Sequence, residues 1–203
     1  MAGRVRAVAR LAADGARHRF LPATVWVDND ADAPPPLLHR EQDPDRWLNL
    51  ADAADHGVIT EVDDGHPAGL GLGGAMPTSS ASGPVIVAVM LAALDAHEGH
   101  RVLEIGTGTG YNAALLAHRL GAEQVTSIEI DPDIATHARK VLSDTGFGAV
   151  AVATGDGAHG YPAGAPYDRV IATAAANRIP YPWVAQTRPG GRILLPWAGT
   201  YTG

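Results

Sequence analysis

Two regimes of patterning divide the chain. From about residue 84 onward, short apolar runs alternate with segments of helical spacing; before about residue 78 no period persists. Pro84 to Ala96 predicts a helix, because proline suits a first turn and alanines and leucines follow. The β-branched Val85, Ile86 and Val87 favour a strand there, and length decides for the helix. A strand over Arg101–Ile105 follows, then a helix over Tyr111–Leu120 closed by Gly121, and a strand over Gln124–Ile130. A helix over Pro132–Asp144 has Asp131 as its candidate cap. Strands over Ala149–Ala153 and Asp168–Thr173, a short helix near Tyr181–Thr187 and a strand over Gly191–Pro196 complete the series. Strands alternating with helices imply right-handed crossovers, a parallel sheet and an α/β fold.

Residues 1 to about 78 read differently. "DNDADAPPPLLHR", "DPDRW" and "VDDGHPAGLGLGG" are rich in turn and loop formers and predict a small irregular cap. The expected division is therefore an N-terminal cap or substrate region, 1–78, and a ligand-binding domain, 79–203. Val5, Val8 and Leu11 recur at three-residue spacing, which favours an amphipathic helix over an organelle transit peptide at the start. The last predicted strand carries Ile193, Leu194 and Leu195, too apolar for an open edge. That predicts further strands, or a covering segment or subunit, beyond "WAGTYTG".

Composition narrows the classes. The 203 residues are 46% hydrophobic, enough for a real core. Fifteen basic against 22 acidic residues give a net charge of −7, which disfavours nonspecific binding to nucleic acid or an anionic membrane. Lys140 is the single lysine, so a Schiff-base mechanism has one candidate. The absence of cysteine removes disulfides, thiolate nucleophiles and cysteine-based zinc sites, and fits a reducing compartment. The longest apolar run, Val85 to Leu94, is too short to span a bilayer. A cytoplasmic location is expected.

The chemistry gathers on "EIGTGTG", with Gly106, Gly108 and Gly110 between a strand and a helix. A dinucleotide fingerprint requires glycine at position 111, where tyrosine stands. Glu104, two residues before the first glycine, would repel a pyrophosphate and suit a cationic ligand. Glu129 ends the second strand, where its carboxylate can accept two hydrogen bonds from vicinal ribose hydroxyls. "TGDG" follows the third strand and presents Asp156 to the exocyclic amine of an adenine. Singly, Glu129 could cap the helix at 132, and "TGDG" could be an ordinary turn. Jointly they describe an adenosine bearing a positive group and no phosphate, a description that S-adenosylmethionine fits.

Other motifs fail on spacing. His97 and His100 in "AHEGH" do not form H-E-x-x-H, so no metal site is expected. "SSASG" lacks the first glycine of a hydrolase elbow. Asp28, Asp30 and Asp32 lack the glycine and glutamate of a calcium loop.

From Thr78–Met90 through "VLEIGTGTGYNAALLA", "VTSIEID", "TGDG" and "YDRVIATAAA" to "RPGGRILLPW", the chain resembles the protein-L-isoaspartate O-methyltransferase family of class I methyltransferases. "RHRFLPATVW" (Arg17–Trp26) is similar to the family's N-terminal "FVP" segment. The resemblance implies a doubly wound, Rossmann-like sheet holding S-adenosylmethionine at its strand ends. It also implies methylation of the free carboxylate of an isoaspartyl residue. By motif position Glu104, Gly106, Thr107, Gly108, Tyr111, Asn112, Glu129, Ile130, Gly155, Asp156, Gly157 and Thr173 would bind cofactor. The family's active-site serine lies in "T-I-S-Q-P"; matching on the proline puts Ser82 in its place, with Ser80 and Ser79 beside it and Gly83 where the family has glutamine. The serine-rich version also resembles a branch that methylates an aspartate in a modified ribosomal peptide of lanthipeptide or graspetide type.

The implied chemistry needs no strong base, since an α-carboxylate with a pKa of about 3.5 and an aspartate at about 3.9 are already ionised at neutral pH. The task is placement and exclusion of water. Ser82, with Ser79 or Ser80, would hold one carboxylate oxygen while the other attacks. A cap for the helix at Pro84 is the alternative, and the motif match favours contact with the carboxylate. After the fourth strand, "TAAAN" lacks the acidic or amide residue and Pro-Pro-aromatic run of amino-methylating DNA enzymes, so the expected partner is an isoaspartyl- or aspartyl-containing protein or peptide. Methylation of a small molecule, and a cofactor-binding module without turnover, are the rival readings.

Overall fold

The computed structural model describes residues 17–27, 35–65 and 76–198. The predicted amphipathic helix with Val5, Val8 and Leu11, the acidic run Asp28, Asp30 and Asp32, and the last five residues lie outside them. The chain divides into two compact units, Ala2–Ala88 and Val89–Gly203.

The first unit holds strands β1 (Thr24–Trp26) and β2 (Leu37–His39), helix α1 (Pro44–Asp52), and strands β3 (Val58–Val62) and β4 (Pro77–Ala81). They form an antiparallel sheet in the order β2-β1-β3-β4. This corrects the expectation of an irregular region. The strands are three to five residues long, too short for alternation to register against the Pro, Asp and Gly around them. Helix α1 did carry a signal: Asp43 caps it, accepting from the Arg46 amide at 3.1 Å, and Pro44 occupies its first turn. Its apolar face buries Trp47 and Ala51 against Leu21, Val25, Leu38, Val58 and Ala81.

Helix α2 (Pro84–Leu94) follows, then strand β5 (Val102–Ile105), helix α3 (Tyr111–Leu120), strand β6 (Val125–Glu129) and helix α4 (Pro132–Asp144). Strand β7 (Ala151–Thr154), strand β8 (Tyr167–Ala172), helix α5 (Tyr181–Gln186) and strand β9 (Thr187–Leu194) complete the second unit. Helix α2 stops two residues short of the expected Ala96 because Asp95 turns left-handed at φ 54°. Helices α3 and α4 have the expected bounds. Gly110 and Gly121 flank α3 with positive φ, and Asp131 accepts from the Asp133 and Ile134 amides at 2.7 and 2.9 Å. Strand β9 begins four residues before the expected Gly191. "TRPGG" reads as a turn, yet Pro189 and Gly190 are tolerated because β9 is an edge strand among the described residues.

The second sheet is parallel throughout, in the order β7-β6-β5-β8-β9. The chain winds outward from β5 to β7, then returns to the other side of β5. This is the doubly wound, Rossmann-like arrangement; in such sheets ligands bind outside the carboxyl ends of the strands where the winding reverses, here beside β5. Leu103, Ile105, Ile128, Tyr167, Val170, Ala172 and Trp183 form a buried cluster around the central strands. No helix among the described residues is long and apolar enough to cross a membrane.

Leu103 is fully buried in the central strand. Leu103→Ala is expected to cost about 2–5 kcal/mol of unfolding free energy in a denaturant titration, through lost transfer energy and the cavity left behind. A loss below about 1 kcal/mol would show that the sheet repacks freely around β5.

Candidate active site

The turn from β5 into α3 is built on left-handed backbone. Gly106, Gly108 and Gly110 have φ of 90°, 52° and 83°, so the chain folds tightly without side chains over its backbone. A Cβ on Gly106 would stand 2.8 Å from the Thr173 hydroxyl. That hydroxyl donates to the Gly106 carbonyl at 2.6 Å, and the Thr173 amide donates to the Ile105 carbonyl at 2.9 Å. On the other side, the Gly106 and Thr107 amides both point at the Ile128 carbonyl, at 2.8 and 3.2 Å. The turn is thus strapped to β6 and to the end of β8.

Glu129 closes the same turn. One carboxylate oxygen accepts from the Gly108 amide at 2.8 Å and the other from the Asp131 amide at 3.2 Å. Ile130, next along, is 70% exposed, an open apolar face beside that carboxylate. Gly155 donates its amide to the Glu129 carbonyl at 2.8 Å, which brings the end of β7 to the same place. A Cβ on Gly157 would press on the Ile105 side chain, so glycine lets this turn close on β5. The Asp156 carboxylate accepts from the Ala158 amide at 2.8 Å, within its own turn, and is exposed.

Glu104 sits beneath the turn with no exposed surface. Its oxygens accept from the Asn112 side-chain amide at 2.7 Å and from the Ser127 hydroxyl at 2.5 Å. Ser127 gives its proton to Glu104, so the Thr107 hydroxyl, 2.6 Å away, donates to Ser127. Three elements are locked by one buried carboxyl: β5, the first turn of α3, and β6. Ser127 escaped the sequence reading. Its signal was a lone serine at an inward position of an apolar strand, fully buried here. Tyr111 packs into the interior at 3% exposure.

Glu104, Asn112, Thr107, Gly106, Gly108, Glu129, Gly155, Gly157 and Thr173 are therefore linked directly or through one intermediate residue. Asp156 is at the adjoining strand end, where its carboxylate accepts from the Ala158 amide of its own turn. Ser79, Ser80 and Ser82 belong to the other unit. Ser79 and Ser80 lie on β4, where the Ser79 hydroxyl accepts from Thr60 at 3.2 Å, and Ser82 stands between β4 and α2. Lys140 pairs with Asp144 at 2.5 Å on the exposed face of α4. Among the described residues no group of three or more His, Asp or Glu side chains could hold a metal ion.

The sequence model of the protein-L-isoaspartate(D-aspartate) O-methyltransferase family matches residues 68–201. A protein-L-isoaspartate O-methyltransferase of Anaeromyxobacter dehalogenans is 44% identical over 140 residues, covering 68% of this chain and 64% of its own length. A protein of the same name from Myxococcus xanthus is 40% identical over 149 residues, covering 73% and 67%. One from Methanoculleus marisnigri is 50% identical over 115 residues, covering 57% and 51%. The chain thus spans about half to two thirds of the length of these relatives. A solved protein-L-isoaspartate O-methyltransferase superposes with a TM-score of 0.63 at 24% identity, covering 95% of this chain and 55% of its own. A Plasmodium falciparum structure described as a complex with S-adenosyl-L-homocysteine superposes at 0.55, with 17% identity, over 62% and 65%. At these identities the two structures speak to the fold.

Burial pushes the Glu104 carboxyl up from 4.5 to about 7; hydrogen bonds from Ser127 and Asn112 pull it down, and the nearby Glu129 charge adds to the rise. Between those pH values the folded chain keeps a proton that the unfolded chain has lost. Its stabilising contribution is complete below pH 4.5 and is lost as pH rises to about 7. Glu104→Gln should abolish that decline. The melting temperature of the variant relative to the parent should rise across this window and stay level above it. A difference independent of pH would mean that Glu104 titrates like an exposed carboxylate.

Proposed function

The chain belongs to the protein-L-isoaspartate(D-aspartate) O-methyltransferase family, and from that premise we propose that it transfers a methyl group from S-adenosylmethionine to the free α-carboxylate of an isoaspartyl residue in a protein or peptide. The observation that carries the reading furthest is the Glu129 carboxylate held on the Gly108 amide, 21 residues away in sequence. It joins an acid suited to ribose hydroxyls to a turn of bare backbone, with the exposed Ile130 ready to lie against a base. Those features fit the cofactor. When bound, S-adenosylmethionine supplies an electrophilic methyl on a sulfonium centre.

The chain's own residues divide the work. Gly106 and Gly108 let backbone approach the ligand, Glu129 and Ile130 hold the nucleoside, and Gly155, Asp156 and Gly157 close the adenine end. Thr107, Tyr111, Asn112 and Thr173 keep the turn in shape. Glu104 acts from beneath by holding the turn, since both of its oxygens are already bonded to protein. We read residues 1–78, together with Ser79, Ser80 and Ser82, which lie in the same unit, as the substrate-binding part and the rest of 79–203 as the cofactor-binding part. Ser82, assisted by Ser79 and Ser80, would donate to one oxygen of the substrate carboxylate and leave the other free to attack. No proton has to be removed, because that carboxylate, with a pKa of about 3.5, is already ionised. Catalysis then rests on in-line placement with water excluded. The resulting ester is open to attack by the following backbone nitrogen, which expels methanol and closes a succinimide that water reopens.

Purified protein given methyl-labelled S-adenosylmethionine should place base-labile label on an isoaspartyl peptide and none on its aspartyl isomer. Label on neither, in a preparation that binds S-adenosylhomocysteine, overturns the carboxyl-methylation reading. Glu129→Gln should weaken cofactor binding about tenfold to a hundredfold, the range for hydrogen bonds to a charged acceptor. Calorimetric affinity unchanged by that substitution would remove Glu129 from the nucleoside site.

A further inference from the structure

Arg17 is 1% exposed, and its guanidinium uses all five of its N–H donors on backbone carbonyls. Nε donates to Ala51 at 2.5 Å; Nη1 donates to His56 and to Ser82, each at 3.0 Å; Nη2 donates to Leu50 at 3.0 Å and Ala53 at 3.1 Å. Three acceptors sit at the C-terminal end of α1, the negative end of its dipole, whose last turn holds no basic residue of its own. The fourth precedes β3. The fifth is the carbonyl of the serine to which the function above assigns the substrate carboxylate. Arg17 binds that serine through its backbone and leaves the hydroxyl out of the contact.

The same junction is closed by backbone. The Val85 amide donates to the Ala54 carbonyl at 2.9 Å. A Cβ on Gly83 would stand 3.1 Å from the His56 carbonyl, so the Ser82–Gly83 turn and the 53–56 segment lie almost in backbone contact. Two chain segments at that spacing, each with carbonyls turned inward, need a shared donor. A lysine has three donors on one centre and cannot reach five acceptors in a planar array.

We propose that Arg17 is a positioning residue for the carboxylate-binding turn. It fixes the backbone of Ser82 to the end of α1 and the segment before β3, and so sets where the Ser82 hydroxyl is presented. The inference rests on Ser82 touching the substrate carboxylate. Arg17 itself touches no reacting atom.

Its test is a double-mutant cycle in the full chain, read in methyl transfer to an isoaspartyl peptide, with S-adenosylhomocysteine affinity as the control on the other unit. Arg17→Lys should lower kcat about tenfold to a hundredfold, the scale set by misplacement of a reacting group by about 1 Å. Cofactor affinity should stay within about twofold. In a Ser82→Ala background, the same substitution should lower kcat by less than about threefold, because the hydroxyl it positions is gone. Equal losses in both backgrounds, or no loss in either, would overturn the proposal, since a residue that only holds the unit together acts regardless of Ser82. Should the lysine variant fail to fold, Gly83→Ala strains the same turn and should show the same dependence on Ser82; an unchanged kcat overturns the proposal equally. An unsubstituted protein that transfers no methyl group, or a Ser82→Ala variant with full activity, brings down the functional reading and this inference with it. Either failure shows without any change at Arg17.

Discussion

The interaction on which the site depends is the buried chain of hydrogen bonds from Glu104 through Ser127 to Thr107. A carboxyl with no exposed surface is costly unless its oxygens are satisfied, and here Ser127 and Asn112 satisfy them. The cost is repaid in geometry. One group fixes the end of β5, the start of α3 and the middle of β6, and the glycine turn is stretched between those three. Gly106, Gly108 and Gly110 are left-handed, a backbone that residues with a Cβ rarely adopt, so glycine at these positions lets the turn close tightly. Thr173 then pins the turn from β8, and Glu129 pins it from the end of β6.

Much of the second unit was legible because its signals are local. Helices α3 and α4 matched their expected bounds, since glycines and Asp131 with Pro132 mark the ends chemically. Strand ends moved by one to four residues because a strand stops where its neighbour does, and pairing is not written in the strand itself. The acidic positions Glu104 and Glu129 were also legible, as acids at the ends of apolar runs. Their partners were not. Sequence suggested that both carboxylates face a ligand, whereas Glu104 faces inward to Ser127 and Asn112 and Glu129 already holds two amides. The first unit was the least legible. Its sheet is made of strands of three to five residues whose pairing depends on partners far along the chain.

Buried arginines were missed for a physical reason. A charged residue reads as solvated by its type, and only the fold reveals a cluster of carbonyls around it. Arg17 is one case. Arg169 is another, within the second unit: Nε donates to the Leu94 carbonyl at 2.8 Å and Nη2 to the Asp95 carbonyl at 3.0 Å. Arg192 adds a contact to the Ala93 carbonyl at 2.5 Å. These acceptors close α2, whose last turn, like that of α1, has no basic residue.

A common logic follows. Helices α1 and α2 end without local cations, and each end is met by an arginine distant in sequence. A helix terminus leaves carbonyls unpaired and carries partial negative charge, so a planar cation with several donors answers both needs at once. It also converts a local ending into a long-range constraint, because the arginine's own strand or turn is then tied to the helix. A compact ammonium could neutralise such an end but could not span carbonyls from separate segments. The turn after β4 takes its shape from that difference: its carbonyl at Ser82 is one point of a five-point array, and the array exists only for a guanidinium.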